Sequence, residues 1–403
     1  MKLLFIFLPL FVYAQSYLVS KLPLPKTYIQ NLDIETCNNK CLEEYLIYGE
    51  IFSFLAHAPD TLDDASLNES RLIHTTLLNL GALNYSNRSL RIALLLPHKQ
   101  IGRYAYSTSN AVFAYLLSQN IDYELKSFQI ENESSQAIAQ ALNKIILQGY
   151  DYLIAPLTIQ GSQNLIKQTQ DLTVYIPTVN KSDLNITQSD IYFGGIDYKA
   201  QIDKLMSYSC DPLVVYYDQS TLGETLKEKT RDAYLLHEGE SLTKHIYSYG
   251  IDQRTSNLKK QLHENKKIDF GTFFLNTPIV KSSMIMSQIT LYDVNTTNIL
   301  STQINYDPLI FSITQAKDRK NMIIANSINI ENNVMIEANN LLNNDISYDW
   351  INYATTVGID YFYYLASENK REYPLDMIDK QIEYPITLVE PGFSKFLLVD
   401  EGL

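Results

Sequence analysis

An α/β fold of two doubly wound parallel-sheet lobes, preceded by a small α-helical hairpin, is what this sequence of 403 residues predicts. Three observations carry that expectation. Between Arg91 and Asn180, short apolar runs alternate with helical segments, the pattern of βαβ winding with right-handed crossovers. A second series of similar length follows Tyr198. Ahead of both, apolar residues recur at helical spacing around Leu42 and again after Leu67. The chain exceeds one ordinary domain, and 46% of it is apolar, enough for two or three cores.

The amino terminus reads as a signal peptide over residues 1–14. Lys2 supplies a positive start, Leu3 to Val12 an apolar stretch, and Val12-Tyr-Ala14 a cleavage signal before Gln15. The stretch is shorter than the ~20 residues that hydrocarbon requires. Cleavage near Ala14 and export are expected, into the periplasm if the leader is bacterial. No cysteine follows it for lipid attachment, and no later run is long and apolar enough to span a membrane.

Residues 15–88 hold an extended, proline-containing arm (Ser16 to Ile34) and then the hairpin. Its first helix spans Thr36 to His57, with Leu42, Tyr45, Leu46, Phe52 and Leu55 on one side. Pro59-Asp60 breaks it, and a second helix runs from about Leu67 to Leu80. The module is of the tetratricopeptide sort, and either contacts another protein or caps the sheet domain. Cys37 and Cys41 are spaced for a local disulfide worth roughly 2 kcal/mol. Cys210 is left over and reads as a buried thiol. No histidine lies at metal-ligand spacing from the pair, so no metal is expected, and no histidine base accompanies any of the three thiols. Asn84 to Ser89 is polar and marks the boundary.

The first lobe, residues 89–196, opens with Arg91-Ile-Ala-Leu-Leu-Leu-Pro97, a run of the kind buried on both faces of a parallel sheet. A helix (Tyr104 to Ser118), the alternating strand Tyr123 to Ile130, a helix (Ser134 to Leu147) and the run Tyr150 to Leu157 follow. Another helix, the strand Thr173 to Val179 and the segment Ile191 to Ile196 complete it. The second lobe, 197–304, runs through helix Tyr198–Tyr208, strand Pro212–Tyr217, helix Thr221–His237, strand Lys244–Tyr249, helix Thr255–Glu264, strand Phe270–Leu275, helix Pro278–Ile289 and strand Ile299–Ile304. Residues 305–403 return to both lobes through strand Asn321–Asn326, helix Tyr348–Ala366 and a late strand, Glu383–Glu390.

Arg91 to Pro97, Gln148-Gly-Tyr-Asp-Tyr-Leu-Ile-Ala-Pro-Leu157 and Tyr175-Ile-Pro-Thr-Val-Asn180 resemble the opening of the type I periplasmic binding fold. More narrowly, they look like its penicillin-binding-protein activator branch, in which a helical-repeat domain precedes the same two lobes. The resemblance covers about Leu90 to Asn180 and extends to the second lobe by pattern. It implies a non-catalytic periplasmic protein that binds a small polar ligand or a cell-wall synthase. Two departures stand out. Activators of that branch are typically lipoproteins, and this leader has no lipid-accepting cysteine. Small-molecule binders of the fold usually carry Ser/Gly-rich loops after the first and third strands, which hold a ligand carboxylate at helix amino termini. Here the first loop is the bulkier, basic His98-Lys-Gln-Ile-Gly102.

Ligands of wound sheets meet the carboxyl ends of the strands. In the first lobe that rule selects His98, Lys99, Tyr104, Thr158, Ser162, Asn180, Lys181 and Ser182. In the second it selects Asp218, Gln219, Ser220, Asn276 and Thr277. No nucleophile elbow, zinc-binding His-Glu-x-x-His or phosphate loop is present, so no enzyme and no cofactor are expected. The net charge of −13 argues against nucleic acid and against an anionic bilayer. The 30 tyrosines read as packing residues before they read as an aromatic binding face. Asp183-Leu-Asn185-Ile-Thr187 and Asp293-Val-Asn295-Thr-Thr297 match an extended acidic glycosylation sequon. The functional expectation is an envelope protein with a protein partner, such as a peptidoglycan synthase. The alternative is a solute-binding protein that takes an amino acid or similar ligand for a transporter or receptor.

Overall fold

The computed structural model describes residue 29 and residues 37–77, 90–102, 104–119, 123–168, 172–184, 186, 191–239, 245–330, 332–367 and 369–399. The leader, the arm apart from Ile29, the Asn84–Ser89 boundary and Asn185 lie outside them. The chain divides into two compact units, residues 1–89 with 116–122 and residues 90–115 with 123–403.

The first unit holds α1 (Asn39–Ile47), α2 (Ile51–His57) and α3 (Ala65–Leu77). Asn38 caps α1 by accepting from the Cys41 N–H, and Cys37 and Cys41 are joined by a disulfide across that entrance. The single helix expected over Thr36–His57 is two, because Gly49 adopts φ +73° and ends the first. That break resets the helical phase. Leu42 and Leu55 are buried as expected, but Phe54 takes the core position and Phe52 is 64% exposed.

In the second unit, which takes all of α5 but its last three residues, the first lobe contains β1 (Leu90–Leu96), α4 (His98–Ile101), α5 (Tyr104–Ser118), β2 (Tyr123–Gln129), α6 (Ser135–Leu147), β3 (Tyr152–Ile154), α7 (Ile159–Ile166), β4 (Thr173–Ile176) and β5 (Tyr192–Phe193). The second contains α8 (Tyr198–Leu205), β6 (Leu213–Asp218), α9 (Thr221–Glu238), β7 (Ile246–Ile251), α10 (Lys259–Leu262), β8 (Gly271–Asn276), α11 (Ile279–Leu291), β9 (Thr296–Ser301), α12 (Ile310–Ile313) and β10 (Met322–Asn326). The chain then returns through α13 (Asn333–Leu341), α14 (Trp350–Ser367), β11 (Met377–Ile378) and β12 (Gln381–Ile382). It ends with β13 (Thr387–Pro391) and β14 (Phe396–Leu398).

Each lobe is a 7-stranded sheet, ordered β11-β12-β5-β4-β3-β1-β2 and β14-β13-β10-β9-β8-β6-β7. β1 to β5 and β6 to β10 pair in parallel, and the antiparallel strands are the late returns. β1, buried at every position but Arg91, and β8, buried throughout, are the apolar runs that a sheet covered on both faces demands. After residue 305, β10, β13 and β14 lie in the second-lobe sheet and β11 and β12 in the first.

Four local expectations need correction. His98–Gly102 is a helical turn rather than a loop. The helix expected over Thr255–Glu264 shrinks to α10, because the Asp252 carboxylate accepts from the Arg254 and Thr255 N–H groups and from the Thr255 hydroxyl, a turn that competes with helix. The strand expected to reach Ile304 stops at Ser301, since the Gln303 N–H turns away to the Gln201 side chain at 2.9 Å. Cys210 is exposed, not buried. It lies on the turn before β6, where its N–H donates to the Thr272 hydroxyl and its thiol faces solvent.

Candidate binding site at the strand ends

The carboxyl ends of the parallel strands are also where the chain passes between the lobes, near Gly194–Asp197, Ser327–Ile330 and Glu383–Ile386. Buried amides hold these passages. The Gln201 side chain accepts from the Gln303 N–H at 2.9 Å and donates to the Ser327 hydroxyl at 2.8 Å, while the side-chain Oε1 of Gln303 accepts from the Ser327 N–H at 2.7 Å. Asn180 and Gln381 both donate to the Gly195 carbonyl, and Tyr384 donates to that of Gly194. Tyr175, fully buried, donates to the Ala354 carbonyl at 2.7 Å, and a Cβ on Gly194 or Gly358 would collide with its ring or hydroxyl. Burial pushes the Tyr384 phenol well above its ordinary range. These unmade-bond penalties in a low-dielectric interior fix the backbone of the passages.

In the first lobe, the amino end of α7 points into this region. Thr158 caps it, accepting from the Gly161 N–H. A carboxylate already sits there. Glu133, 7% exposed, reaches from the turn before α6 and accepts from the Thr158 N–H at 3.0 Å and, through its other oxygen, from the Thr158 hydroxyl. Gly161 leaves room for it, since a Cβ there would lie 2.5 Å from Glu133 Oε2. Ser162 is fully buried and donates to the Thr158 carbonyl.

The other first-lobe candidates are similarly engaged. Asn180 caps a 3-10 turn and holds Ser182 by both its N–H and its hydroxyl. Lys181 pairs with Asp379 at 2.5 Å within the same lobe. Lys99 is an exposed pair with Glu131 at 3.6 Å, and the His98 ring lies edge-on to Tyr106 with its Nε2 buried and without a partner. Tyr104 is 37% exposed and Tyr106 70%.

In the second lobe, Asp218 accepts from the Ser220 N–H and hydroxyl, and Ser220 caps α9. Asn276 and Thr277 are fully buried. Asn276 donates to the Thr230 hydroxyl at 3.0 Å, and Thr277 bonds Ser282 at 2.7 Å. Asn305 ties the same region together through the Leu275 and Thr277 carbonyls and the Ser301 hydroxyl. Four buried atoms here have no partner: Asn276 Oδ1, Thr302 Oγ1, Gln303 Nε2 and Asn305 Oδ1. An ion pair spans the lobes, Asp183 to Lys229 of α9 at 2.6 Å. Burial raises the phenol of Tyr198 at the start of α8, with Tyr104 and Asp183 adding to it.

Most of the candidates lie at the strand ends, where their side chains bond to other parts of the chain. Glu133, Gln201, Gln303, Asn305 and Gln381 went unrecognised. The one available signal was the acid directly before the cap Ser134, in Glu131-Asn-Glu-Ser134. Among the described residues no group of three or more His, Cys, Asp or Glu could hold a metal, and no helix is long and apolar enough to cross a membrane. Asn295 is exposed on the turn before β9, as a sequon requires.

No family model matches the chain, and no curated protein does. Solved structures do. The substrate-binding protein LivJ from Streptococcus pneumoniae, in complex with isoleucine, aligns with a TM-score of 0.55 at 10% identity over 77% of this chain and 98% of its own. A transporter substrate-binding protein from Sphaerobacter thermophilus gives 0.59 at 11%, over 78% and 97%. LpoA from Haemophilus influenzae gives 0.52 at 10%, over 83% of this chain and 65% of its own. Likeness at such identity is likeness of fold: the chain has the two-lobed type I periplasmic binding fold, with helices at its amino terminus.

Proposed function

We propose that the chain is an exported, non-catalytic interaction or regulatory factor of the cell envelope, similar in role to the activators of peptidoglycan synthases. The observation that carries this reading is Glu133. Solute binders of this fold offer a helix amino end to the ligand's carboxylate, and here the α7 end is held by the chain's own acid. A free amino acid would have to displace a tethered, buried group. The amino-terminal helices and the LpoA likeness agree with a protein partner.

A solute-binding role is the second reading. Its support is the set of unpartnered buried atoms at the second-lobe strand ends, which a polar ligand could satisfy, together with the likeness to LivJ. The two separate in a thermal-shift screen with amino acids and peptidoglycan fragments, run beside co-purification with a peptidoglycan synthase. Saturation at a hundredfold excess over Kd stabilises by about 2.7 kcal/mol, readily seen as a higher melting temperature. A shift with one small ligand overturns the first reading. Synthase capture without any shift supports it.

A further inference from the structure

We propose that β2 is a dimerisation edge, on which a second copy of this chain adds its own β2 antiparallel to make one continuous sheet. β2 ends the first-lobe sheet, with β1 on one side and no strand on the other among the described residues. The Ile130 N–H donates to the Leu96 carbonyl, so the backbone groups of even-numbered residues face β1. By strand alternation those of Tyr123, Leu125, Ser127 and Gln129 face outward. A seven-residue edge of this kind is a template for pairing unless it is blocked. Among the described residues no proline or bulge interrupts it, and its two exposed charges, Glu124 and Lys126, are of opposite sign.

The side chains choose the occupant and the register. A two-fold axis through Leu125 sets Leu125 against Leu125 and Tyr123 against Ser127 as hydrogen-bonded pairs. Glu124 then faces Lys126 of the second copy, and Lys126 its Glu124, in the non-bonded pairs where side chains approach most closely. Moving the axis to Lys126 sets two ammonium groups against each other. Moving it to Ser127 leaves both charges opposite apolar residues. The strand is self-complementary in one register.

Apolar surface flanks it on both sides. On one, Phe113, 37% exposed, packs edge-on to Tyr123 next to the half-buried Leu125. On the other, the last turn of α6 leaves Ile146 at 42% and Leu147 at 86% exposure, beside the Gln148 that accepts from Lys126. A groove of about 590 Å³ between β2 and α6 gives a second copy room to approach.

The test is sedimentation of the full chain over a wide concentration range, with three variants. Ser127→Pro removes an outward N–H that the monomer's own ladder does not use, and should give a folded monomer. Lys126→Glu turns both cross-copy pairs repulsive and should weaken the dimer by roughly tenfold or more. In a Cys210→Ser background, Leu125→Cys should form a disulfide-linked dimer, because hydrogen-bonded partners stand at bridging distance, about 5.5 Å between Cα atoms. Ser127→Cys, which faces Tyr123 rather than itself, should not. A chain that stays monomeric, a dimer indifferent to Ser127→Pro, or cross-linking at 127 in place of 125 overturns the proposal.

Discussion

Replacing Glu133 by alanine is expected to loosen the first lobe and, at the same time, to create a carboxylate-binding site. The magnitude follows from the contacts. Glu133 accepts from the Thr158 N–H and hydroxyl at the amino end of α7, with almost no exposure to water. Hydrogen bonds to a charged group contribute about 1.5–3 kcal/mol each, and a buried charge at a helix amino end up to about 2 more. Against this stands the desolvation that the carboxylate itself no longer bears. The net loss should be about 2–4 kcal/mol for Glu133→Ala. It should be about half that for Glu133→Gln, whose amide oxygen still accepts one bond. Urea unfolding followed by a first-lobe signal gives the difference, with an unchanged slope showing that the native state keeps its compactness. Acetate supplies the missing group. It should stabilise Glu133→Ala in a saturable way and leave the parent unmoved, with chloride as the ionic control. A variant within about 0.5 kcal/mol of the parent, or one blind to acetate, refutes the assignment of Glu133 as an internal ligand.

Three further outcomes are expected. Asp360 is fully buried and accepts from the Tyr115 hydroxyl, the Glu372 and Tyr373 N–H groups and Arg371. Asp360→Ala removes the carboxylate that these groups share and takes from Arg371 its buried counter-charge, and should cost about 3–5 kcal/mol in thermal or urea unfolding. The Asp183–Lys229 pair, about a quarter exposed on each side, should contribute about 1 kcal/mol or less, so Lys229→Ala should cost no more than that in stability. Since it links the lobes, its loss should read out instead as a larger radius of gyration in solution scattering. Burial pushes the phenols of Tyr150, Tyr306, Tyr353 and Tyr361 up to about 12. Each holds its proton more tightly folded than unfolded, so their stabilisation is whole below pH 10 and is lost as pH rises towards 12. Absorbance titration should show these phenolates forming together with unfolding rather than ahead of it.

The two-lobed winding was legible because it rests on local pattern. Runs such as Arg91 to Pro97 and Pro212 to Tyr217 are too apolar for any place but a covered parallel strand, and α5 and α9 lie almost where the sequence put them. Local chemistry also announced the disulfide at the α1 entrance. Where the reading failed, a nearby competitor had intervened: Gly49 split the first helix, and Asp252 captured the start of α10. The sheet orders placed the candidate site residues at the strand ends, as winding requires.

What those residues do there was a different matter, decided by partners far away in the chain. Thr158 looked like a ligand contact until the fold brought up Glu133, 25 residues earlier. Asn276 found Thr230, 46 residues away, and Gln201 found Ser327, 126 away. Sequence alone determined the wound lobes, because hydrophobic period and turn chemistry act over a few neighbouring residues. Only the tertiary structure decided that the amino end of α7 is already occupied, because a hydrogen bond depends on distance in space, and no pattern along the chain encodes which distant donor and acceptor will meet.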